Sequence, residues 1–542
     1  MFRRISAALF AVLACTWLTP LQAAERPKLV VAILVDQLRY DYLERFHDQF
    51  GEGGFKLLTD RGTFMTFARY DYCPTITAPG HASFLSGSTP AVHGIIGNDW
   101  FDKASGQSIY CCKDASVKGV GTDTPAGQMS PRNFIGATFA DQLRLHYRAK
   151  VVGISIKDRG AIFPSGKKPA GAYWFEPASG NFVTSTYYRT ELPEWVTQFN
   201  ARKRPQEFIG QKWDRLLKPE AYPGADEAVG EGLLPGEKTP TFPHTITATA
   251  KGAYDNIISS PFGNQLLAEF AQAAIEGEQL GQGPQPDLLT VSFSSVDYVG
   301  HRFGPYSHEV QDMVLRLDRQ LAELFAYLDQ KIGLANVTMA LTADHGVAPT
   351  PEYAAEQGLG GERTDEMTLI LDLLAKLNER FGEGTYLLQR RLFNGHLYLN
   401  HEALRKQDVE AEAIAKFVRE WALATGKFHA AYTRDELLSG RAAGPFGRWV
   451  VNGYNAERGG DVVLLYKPFI MNWPGKSGTT HGSPFTYDTH VPVLFYGSGF
   501  KPGRYPDEFY IADIVPTLSS ALHMDNPPGC MGKPCGAILT AP

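Results

Sequence analysis

The sequence predicts an α/β protein: a doubly wound, mostly parallel β-sheet flanked by helices, with surface insertions. Two patterns favour this class. Short apolar runs rich in β-branched residues, typical of strands buried on both faces, are followed at once by polar residues. Helical patterns alternate with these runs, as in parallel sheets with crossover helices. The length of 542 residues and a hydrophobic content of 44% allow a large core.

Five apolar runs are predicted to be strands, and four of them end in charged residues. In a doubly wound sheet, ligands bind outside the carboxyl ends of the strands. A single aspartate there is more often a helix cap or turn residue, but three of them, two with a histidine nearby, favour one shared site. The runs are KLVVAILVD (ending at Asp36), KVVGISIKDR (Lys157 and Arg159), DLLTVSFSSVD (Asp297), NVTMALTADHG (Asp344 and His345) and HVPVLFYG.

Helical periodicity appears in three segments between or after these runs. In the first, Ser130 and Pro131 are expected to start the helix. The segments are SPRNFIGATFADQLRLHYRA, SHEVQDMVLRLDRQLAELFAYLDQKI and ADIVPTLSSALHM.

Two stretches interrupt the alternation. Residues of about 165–250 are rich in Pro, Gly, Trp and Tyr and are expected to form long surface excursions. Residues of about 365–475 contain the helical patterns EMTLILDLLAKLNERFG and VEAEAIAKFVREWALAT between strand-like GHLYLN and DVVLLYK, and are expected to be an α+β insertion. We therefore predict one domain over residues 24–542 that carries both insertions.

The first residues have the features of a secretory signal peptide over residues 1–23. Arg3 and Arg4 precede an apolar stretch that ends near Leu18, and the small residues of LQAAE follow. Cleavage is expected near Ala23 or Ala24, which predicts a periplasmic or secreted protein. The alternative, a membrane anchor, needs roughly 20 apolar residues, and no other run is long enough to span a bilayer.

Five cysteines remain after the predicted cleavage, and an exported chain is the kind in which cysteines pair. Cys530 and Cys535 flank the short loop CMGKPC and are expected to form a disulfide. Cys73 is expected to pair with Cys111 or Cys112, which leaves one thiol free. A zinc cluster is the less favoured alternative, because no closely spaced second pair completes a four-ligand site.

The net charge argues against one class of partner. A formal charge of −6 and a pI near 6.2 indicate no basic surface for nucleic acid. Anionic substrates remain compatible with this charge if positive charge is concentrated locally, as metal ions would do.

Three aspartates and three histidines are candidate metal ligands. Asp297 and His301 are four residues apart, so they face the same way if a helix follows the strand. His481 lies in the small-residue loop GTTHGSP, which could bring an imidazole to the site. Each histidine alone is more often a satisfied surface or core residue, but together the set suffices for two zinc-like ions. The six residues are Asp36, Asp297, His301, Asp344, His345 and His481.

Thr77 lies just before a predicted helix start in the segment TITAPGHASFLSGSTPAVHGIIGND. Pro79 suits the first turn of a helix, and Gly80 leaves that turn without a bulky side chain. A threonine in this place is most often a helix cap. Beside a metal ion it could instead be a nucleophile, because a bound cation lowers the pKa of a coordinated hydroxyl and the helix N-terminus favours an anion.

Several motifs occur together and in one order from near residue 30 to near residue 500. They are VDQLRYDYL, TITAPGHASFLSGSTPAVHGIIGNDWF, SIKDRGAI, SSVDYVGHRFGP, LTADHGV and THGSPFTYDTHVPV. Together they resemble the PafA- and PhoK-type bacterial alkaline phosphatases of the alkaline phosphatase superfamily, in its type I phosphodiesterase/nucleotide pyrophosphatase-like branch. The resemblance covers most of the chain that follows the predicted signal peptide.

The resemblance implies a phosphate monoesterase with two zinc ions and small-molecule phosphate esters as substrates. Thr77 would attack phosphorus and form a phospho-threonine intermediate that is then hydrolysed. Asn98, Lys157 and Arg159 would contact the phosphate. One zinc would be held by Asp297, His301 and His481, and the other by Asp36, Asp344, His345 and the Thr77 oxygen.

Three alternatives are weighed against this interpretation. A phosphodiesterase or nucleotide pyrophosphatase of the same superfamily would share the zinc ligands and the threonine but lack the pair formed by Lys157 and Arg159. A sulfatase would carry Cys or Ser where Thr77 stands. A non-catalytic periplasmic protein that binds zinc or phosphate would not need a nucleophile at a helix start.

Overall fold

A ten-stranded mixed sheet lies at the centre of the computed structural model, which describes residues 26–250, 252–473 and 475–540. The predicted signal peptide, residues 1–23, lies outside the described residues. The strands of this sheet and of the smaller sheets, numbered together in chain order, are β1 (Leu29–Val35), β2 (Thr63–Arg69), β3 (Asp99–Asp102), β4 (Gln107–Tyr110), β5 (Gly119–Val120), β6 (Val151–Ser155), β7 (Gly171–Glu176), β8 (Asn181–Ser185), β9 (Lys212–Trp213), β10 (His244–Thr245), β11 (Asp287–Phe293), β12 (Val337–Thr342), β13 (Glu362–Thr364), β14 (His396–Leu397), β15 (Phe428–Thr433), β16 (Val462–Tyr466), β17 (Ile470–Asn472), β18 (Val493–Tyr496) and β19 (Gly503–Tyr510).

Helices alternate with these strands along most of the chain. They are α1 (Tyr40–Arg45), α2 (Phe55–Arg61), α3 (Thr77–Ser86), α4 (Pro90–His93), α5 (Phe139–Tyr147), α6 (Asp158–Ile162), α7 (Glu194–Ala201), α8 (Arg204–Phe208), α9 (Asp255–Ile258), α10 (Pro261–Gly277), α11 (Ser295–Phe303), α12 (His308–Lys331), α13 (Pro351–Glu356), α14 (Glu366–Phe381), α15 (His401–Lys406), α16 (Ala411–Ala424), α17 (Arg434–Leu438), α18 (Gly447–Gly453), α19 (Thr486–Thr489) and α20 (Ile514–Ala521).

The large sheet has the strand order β19-β2-β18-β12-β1-β11-β6-β7-β8-β5. Its centre, from β12 to β7, is parallel, and every residue of β1, β11 and β12 is buried. Strands covered on both faces need apolar residues at every position, which explains the continuous runs. The predicted α/β class and all five predicted strands are confirmed. The run HVPVLFYG forms β18, which is antiparallel to both of its neighbours.

The helix predicted from Ser130 begins later than expected. It is α5, which starts at Phe139. The Thr138 hydroxyl accepts a hydrogen bond from the Asp141 backbone N–H, and the Asp141 carboxylate accepts one from the Thr138 N–H. This capping box satisfies two amides that a helix start leaves free, so it determines the start of the helix instead of Ser130 and Pro131.

Residues 365–475 contain a small α+β unit with an apolar core of its own. Its antiparallel sheet has the order β14-β16-β15, and α14 and α16 pack against it through residues such as Leu373, Trp421 and Leu464. The stretch 165–250 differs from a surface excursion at its beginning. There β7 is fully buried, and β7 and β8 extend the large sheet.

The predicted disulfides are not formed. All five cysteines within residues 26–250, 252–473 and 475–540 are free thiols. Cys73 packs in one apolar cluster, whereas Cys111 and Cys112 lie in another, where their sulfur atoms are 3.9 Å apart. Cys530 and Cys535 each pack against the main core. A disulfide requires sulfur atoms about 2.05 Å apart, and close spacing in the chain does not by itself bring sulfur atoms into that geometry.

None of the helices in the described ranges is long and apolar enough to cross a membrane.

Candidate active site

The carboxyl ends of three adjacent strands bring the predicted acidic residues together. Asp36 directly follows β1, Asp297 lies in the first turn of α11 after β11, and Asp344 follows β12. Val35 of β1 is paired with Phe293 of β11, and β12 pairs on the other side of β1. The parallel register therefore ends all three strands at one edge, as expected for a ligand site in such a sheet.

The first group of candidate metal ligands consists of Asp297, His301 and His481. The Asp297 Oδ1 atom lies 3.1 Å from the His301 Nε2 atom and 3.7 Å from the His481 Nε2 atom. One ligand atom from each residue lies within 4.8 Å of the others. Asp297 and His301 share one face of α11, because they are four residues apart on a helix.

The second group consists of Asp36, Asp344 and His345, all of which are buried. The His345 Nε2 atom lies 3.5 Å from Asp36 Oδ1 and 3.3 Å from Asp344 Oδ2. Asp36 Oδ1 and Asp344 Oδ2 have no hydrogen-bond partner despite their burial. Burying such oxygens costs free energy unless another interaction compensates for the lost water. A cation bound between them would supply that interaction.

Backbone carbonyls orient all three histidines of the two groups. In each ring Nδ1 lies at hydrogen-bond distance from a carbonyl oxygen, so it carries the proton and Nε2 presents its lone pair to the neighbouring carboxylate. Metal-ligating histidines characteristically have such a partner on their second nitrogen. The pairs are His301 with Thr479 at 2.7 Å, His345 with Gly346 at 2.9 Å and His481 with Thr75 at 2.8 Å.

Burial favours the neutral imidazole at His345 and His481, whereas at His301 the Asp297 carboxylate outweighs burial and raises the pKa of the ring. Burial lowers the pKa of His345 to about 3, and burial with the adjacent His345 ring lowers the pKa of His481 well below its usual value. Burial and the Asp36 carboxylate raise the pKa of Asp344. Neutral imidazole is the form that binds metals, and a set of three nitrogens and three carboxylates fits zinc. The residues therefore fit one metal ion in each group.

Thr77 lies at the start of α3 with its side chain directed toward the second group. Its hydroxyl oxygen is 3.5 Å from the His345 Nε2 atom, and the side chain is buried. The N-cap position belongs to Ile76, and no side chain caps the helix. The hydroxyl of Thr77 therefore does not serve as the helix cap that its sequence position first indicates.

Gly80 allows α3 to pack directly on the segment that carries Asp344. A Cβ atom built on Gly80 would lie 2.5 Å from the Asp344 Cβ and 2.5 Å from the Asp344 backbone oxygen. No larger residue fits without separating the two segments. This contact explains the glycine three residues after Thr77.

Asn98, Lys157 and Arg159 lie around the same site. The Asn98 amide oxygen accepts a hydrogen bond of 2.9 Å from the Ala78 N–H at the start of α3. The Lys157 ammonium donates to Asp36 Oδ2 at 2.6 Å and to Asp297 Oδ2 at 2.5 Å, so it contacts both ligand groups. The structure thus brings the residues predicted for the site to one end of the sheet, where Arg159 follows Lys157 by two residues after the carboxyl end of β6.

Arg159 lies in α6, two residues after Lys157, and is held by residues that the sequence patterns do not indicate. Its guanidinium donates to the Tyr110 hydroxyl at 3.0 Å, and that hydroxyl donates to Asp158 Oδ1 at 2.5 Å. Tyr110 comes from β4, which is distant in the chain. Only the tertiary structure reveals this support.

Two other residues at the site also have no clear signal in the sequence. His81 lies within hydrogen-bond distance of the Thr77 carbonyl, at 2.8 Å, and of the Ser292 hydroxyl in β11, at 2.7 Å. Burial lowers its pKa to about 4, so the ring is neutral and ties α3 to the sheet. Gln37 follows Asp36 and contacts carboxylates of both ligand groups. The motifs APGH and VDQ contain these residues without indicating their contacts.

Known proteins resemble this chain over nearly its whole length. Alkaline phosphatase PafA of Elizabethkingia meningoseptica is 41% identical over 524 residues, which cover 95% of this chain and 95% of that protein. Alkaline phosphatase PhoV of Synechococcus elongatus is 40% identical over 520 residues, which cover 94% of this chain and 93% of that protein.

A solved structure and a family model agree with these matches. The crystal structure of wild-type alkaline phosphatase PafA superposes with a TM-score of 0.90 at 40% identity, covering 95% of this chain and 99% of that chain. The family described as type I phosphodiesterase/nucleotide pyrophosphatase matches residues 30–482. The similarity predicted from the motifs is confirmed, and the chain belongs to the type I phosphodiesterase/nucleotide pyrophosphatase family, as a member of its PafA-type alkaline phosphatases.

Proposed function

We propose that this protein is a zinc-dependent alkaline phosphatase that hydrolyses phosphate monoesters through a phospho-threonine intermediate. The observation that carries the proposal is the position of the Thr77 hydroxyl, 3.5 Å from the Nε2 atom of His345, a member of the second group of candidate metal ligands. The relatives named alkaline phosphatase support the same activity. The substrates are small-molecule phosphate esters.

Two zinc ions are proposed as cofactors. One would be held by Asp297, His301 and His481, and the other by Asp36, Asp344 and His345 together with the Thr77 oxygen. When bound, the two ions supply Lewis-acid stabilisation of phosphoryl oxygens and lower the pKa of a hydroxyl near them. The fixed Nδ1 contacts keep each imidazole ready to bind without rearrangement.

Thr77 is the proposed nucleophile. Its oxygen attacks phosphorus in line with the leaving alcohol, forming a Thr77 phosphoester as the P–O bond to the alcohol breaks. A water molecule then attacks the phosphoester, releases inorganic phosphate and restores the hydroxyl. The contact of His81 with the Thr77 carbonyl and the close packing at Gly80 hold the hydroxyl in place.

Asn98, Lys157 and Arg159 are proposed to bind the phosphoryl group. The Asn98 Oδ1 atom accepts from Ala78, so the amide nitrogen remains as the donor for a phosphoryl oxygen. Lys157 contacts one carboxylate of each ligand group, so its ammonium lies between the groups. An ammonium and a guanidinium favour the dianionic group of a monoester over a diester, which has one charge fewer. This pair favours the monoesterase over a phosphodiesterase of the same family.

With the proposed signal peptide, the enzyme would be exported to the periplasm or out of the cell and would act on phosphate esters there. Arg3, Arg4 and the apolar stretch after them support this location.

The test compares p-nitrophenyl phosphate with bis(p-nitrophenyl) phosphate on the purified full chain. The enzyme is assayed as purified, after dialysis against a chelator, and after addition of zinc or, as a control, of magnesium. We expect hydrolysis of the monoester in preference to the diester, loss of both activities on chelation, and recovery with zinc. Preference for the diester would indicate a phosphodiesterase. Binding of zinc and phosphate without turnover would indicate a binding protein, and full activity after chelation would exclude a metal enzyme.

A further inference from the structure

Gln37 is the residue directly after the metal ligand Asp36, and it is completely buried. Its backbone has a φ of 66°, in the left-handed region that long side chains rarely adopt. A strained backbone conformation of this kind persists only when surrounding contacts maintain it. The contacts made by Gln37 therefore indicate what maintains it.

Gln37 connects the two ligand groups. Its backbone N–H donates to Asp344 Oδ1 at 3.0 Å, and its side-chain amide donates to Asp297 Oδ1 at 2.7 Å. Asp297 Oδ1 is also the oxygen that faces the Nε2 atoms of the first group, whereas Asp297 Oδ2 contacts Lys157. A hydrogen bond to the ligating oxygen restricts the carboxylate to one orientation, and this leaves its other lone pair for a cation.

Gly300 provides the space that this arrangement requires. It lies on α11 one residue before His301, and a Cβ atom built on it would be only 1.8 Å from Gln37 Oε1. Gly300 does not have a positive φ, so its own backbone does not require glycine. The position of the Gln37 amide does require it, because any side chain at residue 300 would displace that amide.

We propose that Gln37 is a positioning residue that orients Asp297 for the metal ion of the first group, and that Gly300 leaves the space that the Gln37 amide occupies. The proposal rests on the proposed function, in which each group holds one ion. The side chain acts only on the first group, because the contact with Asp344 is made by the backbone. Removal of the side chain should therefore weaken one metal site and spare the other.

The experiment measures zinc release from the zinc-loaded full chain into excess colorimetric chelator. The wild type should hold two zinc ions and release them in two phases. The phase lost in His301→Ala belongs to the first group. In Gln37→Ala we expect that phase to become about 10- to 100-fold faster, the range found when a partner of a metal ligand is removed, while the other phase stays unchanged.

Gly300→Ala is an independent second variant that leaves Gln37 in the sequence. Alanine is a better helix former than glycine, so helix propensity alone predicts no loss of helix stability. We expect the first phase to accelerate as in Gln37→Ala, and the double variant to be no faster than either single one, because both act through the same amide. Gln320→Ala, which removes a side-chain amide that donates to the Pro261 carbonyl instead, is the control and should match the wild type.

The outcomes separate the proposal from the function on which it rests. A wild type that binds fewer than two zinc ions contradicts the proposed two-ion site. A wild type with two ions, combined with unchanged release from Gln37→Ala, overturns only the role of Gln37. Equal acceleration of both phases, or additive effects in the double variant, would show a general loosening of the fold and would also overturn it.

Discussion

A single methyl group at Gly80 should separate the proposed nucleophile from the metal ligands. A Cβ atom there would lie 2.5 Å from Asp344, whereas ordinary contacts begin near 3.4 Å, so the two segments must separate by about 0.9 Å. Overpacking costs about 1–3 kcal/mol, and the higher helix propensity of alanine offsets about 1 kcal/mol of this. A misplacement of about 1 Å can lower the rate of a reaction about 100-fold. For Gly80→Ala we expect kcat/KM to fall about 100-fold and the free energy of unfolding by at most about 2 kcal/mol.

The assay is hydrolysis of p-nitrophenyl phosphate by the zinc-saturated variant, with urea unfolding measured on the same preparation. Gly536→Ala is the matched control, because its Cβ would meet no atom within 4 Å and its φ is not positive. It should change neither activity nor stability. Activity of Gly80→Ala within about threefold of the wild type would refute the argument that this contact sets the position of Thr77.

Three further predictions follow from the proposed roles and from burial. Thr77→Ala should abolish turnover while zinc content and fold are retained, whereas Thr77→Ser should keep part of the turnover. Near-normal turnover of Thr77→Ala would exclude Thr77 as the nucleophile. Lys157→Ala and Arg159→Ala should each lower monoester kcat/KM by about 10- to 100-fold, since a charge-assisted hydrogen bond contributes roughly 1.5–3 kcal/mol, with a much smaller effect on diesters; an equal loss for both substrates would remove them from phosphate selection. Burial lowers the pKa of His93 to about 3, whereas an unfolded histidine titrates near 6.5, so as the pH falls the unfolded state binds the proton first and stability is lost below about pH 6.5. Between pH 7 and pH 5 this proton uptake lowers the free energy of unfolding by about 2 kcal/mol. Urea unfolding curves of His93→Gln should lack that decrease, and an unchanged pH dependence in the variant would contradict this assignment.

Local patterns in the sequence were sufficient to predict several strands and helices of the fold. Strands β1, β6, β11 and β12 are recognisable because a strand covered on both faces must be apolar at every position. Helix α12 is recognisable from its periodicity and from Ser307, whose hydroxyl accepts a hydrogen bond from the Val310 N–H. Each of these signals depends on residues within a few positions of one another.

The candidate ligands could be selected from the sequence for a related reason. Acidic residues at the ends of parallel strands must meet at one edge of the sheet, and residues four apart on a helix must share a face. Asp36, Asp297 and His301 follow from these two rules. His481 lies on a loop, so no periodicity places it, and it was selected only through its motif and the resemblance to a family. The roles of these residues remain predictions until they are tested.

The fold class, five strands of the large sheet and the candidate ligands could be predicted from the residues alone, because backbone periodicity and burial leave local patterns. The tertiary structure sets which cysteines face each other, that β18 runs antiparallel, and how closely Gly80 approaches Asp344. It also decided the contact between Gln37 and Asp297, which are 260 residues apart. Such contacts depend on distances of a few tenths of an ångström between distant segments. No local pattern encodes these distances, because they result from the packing of the whole chain.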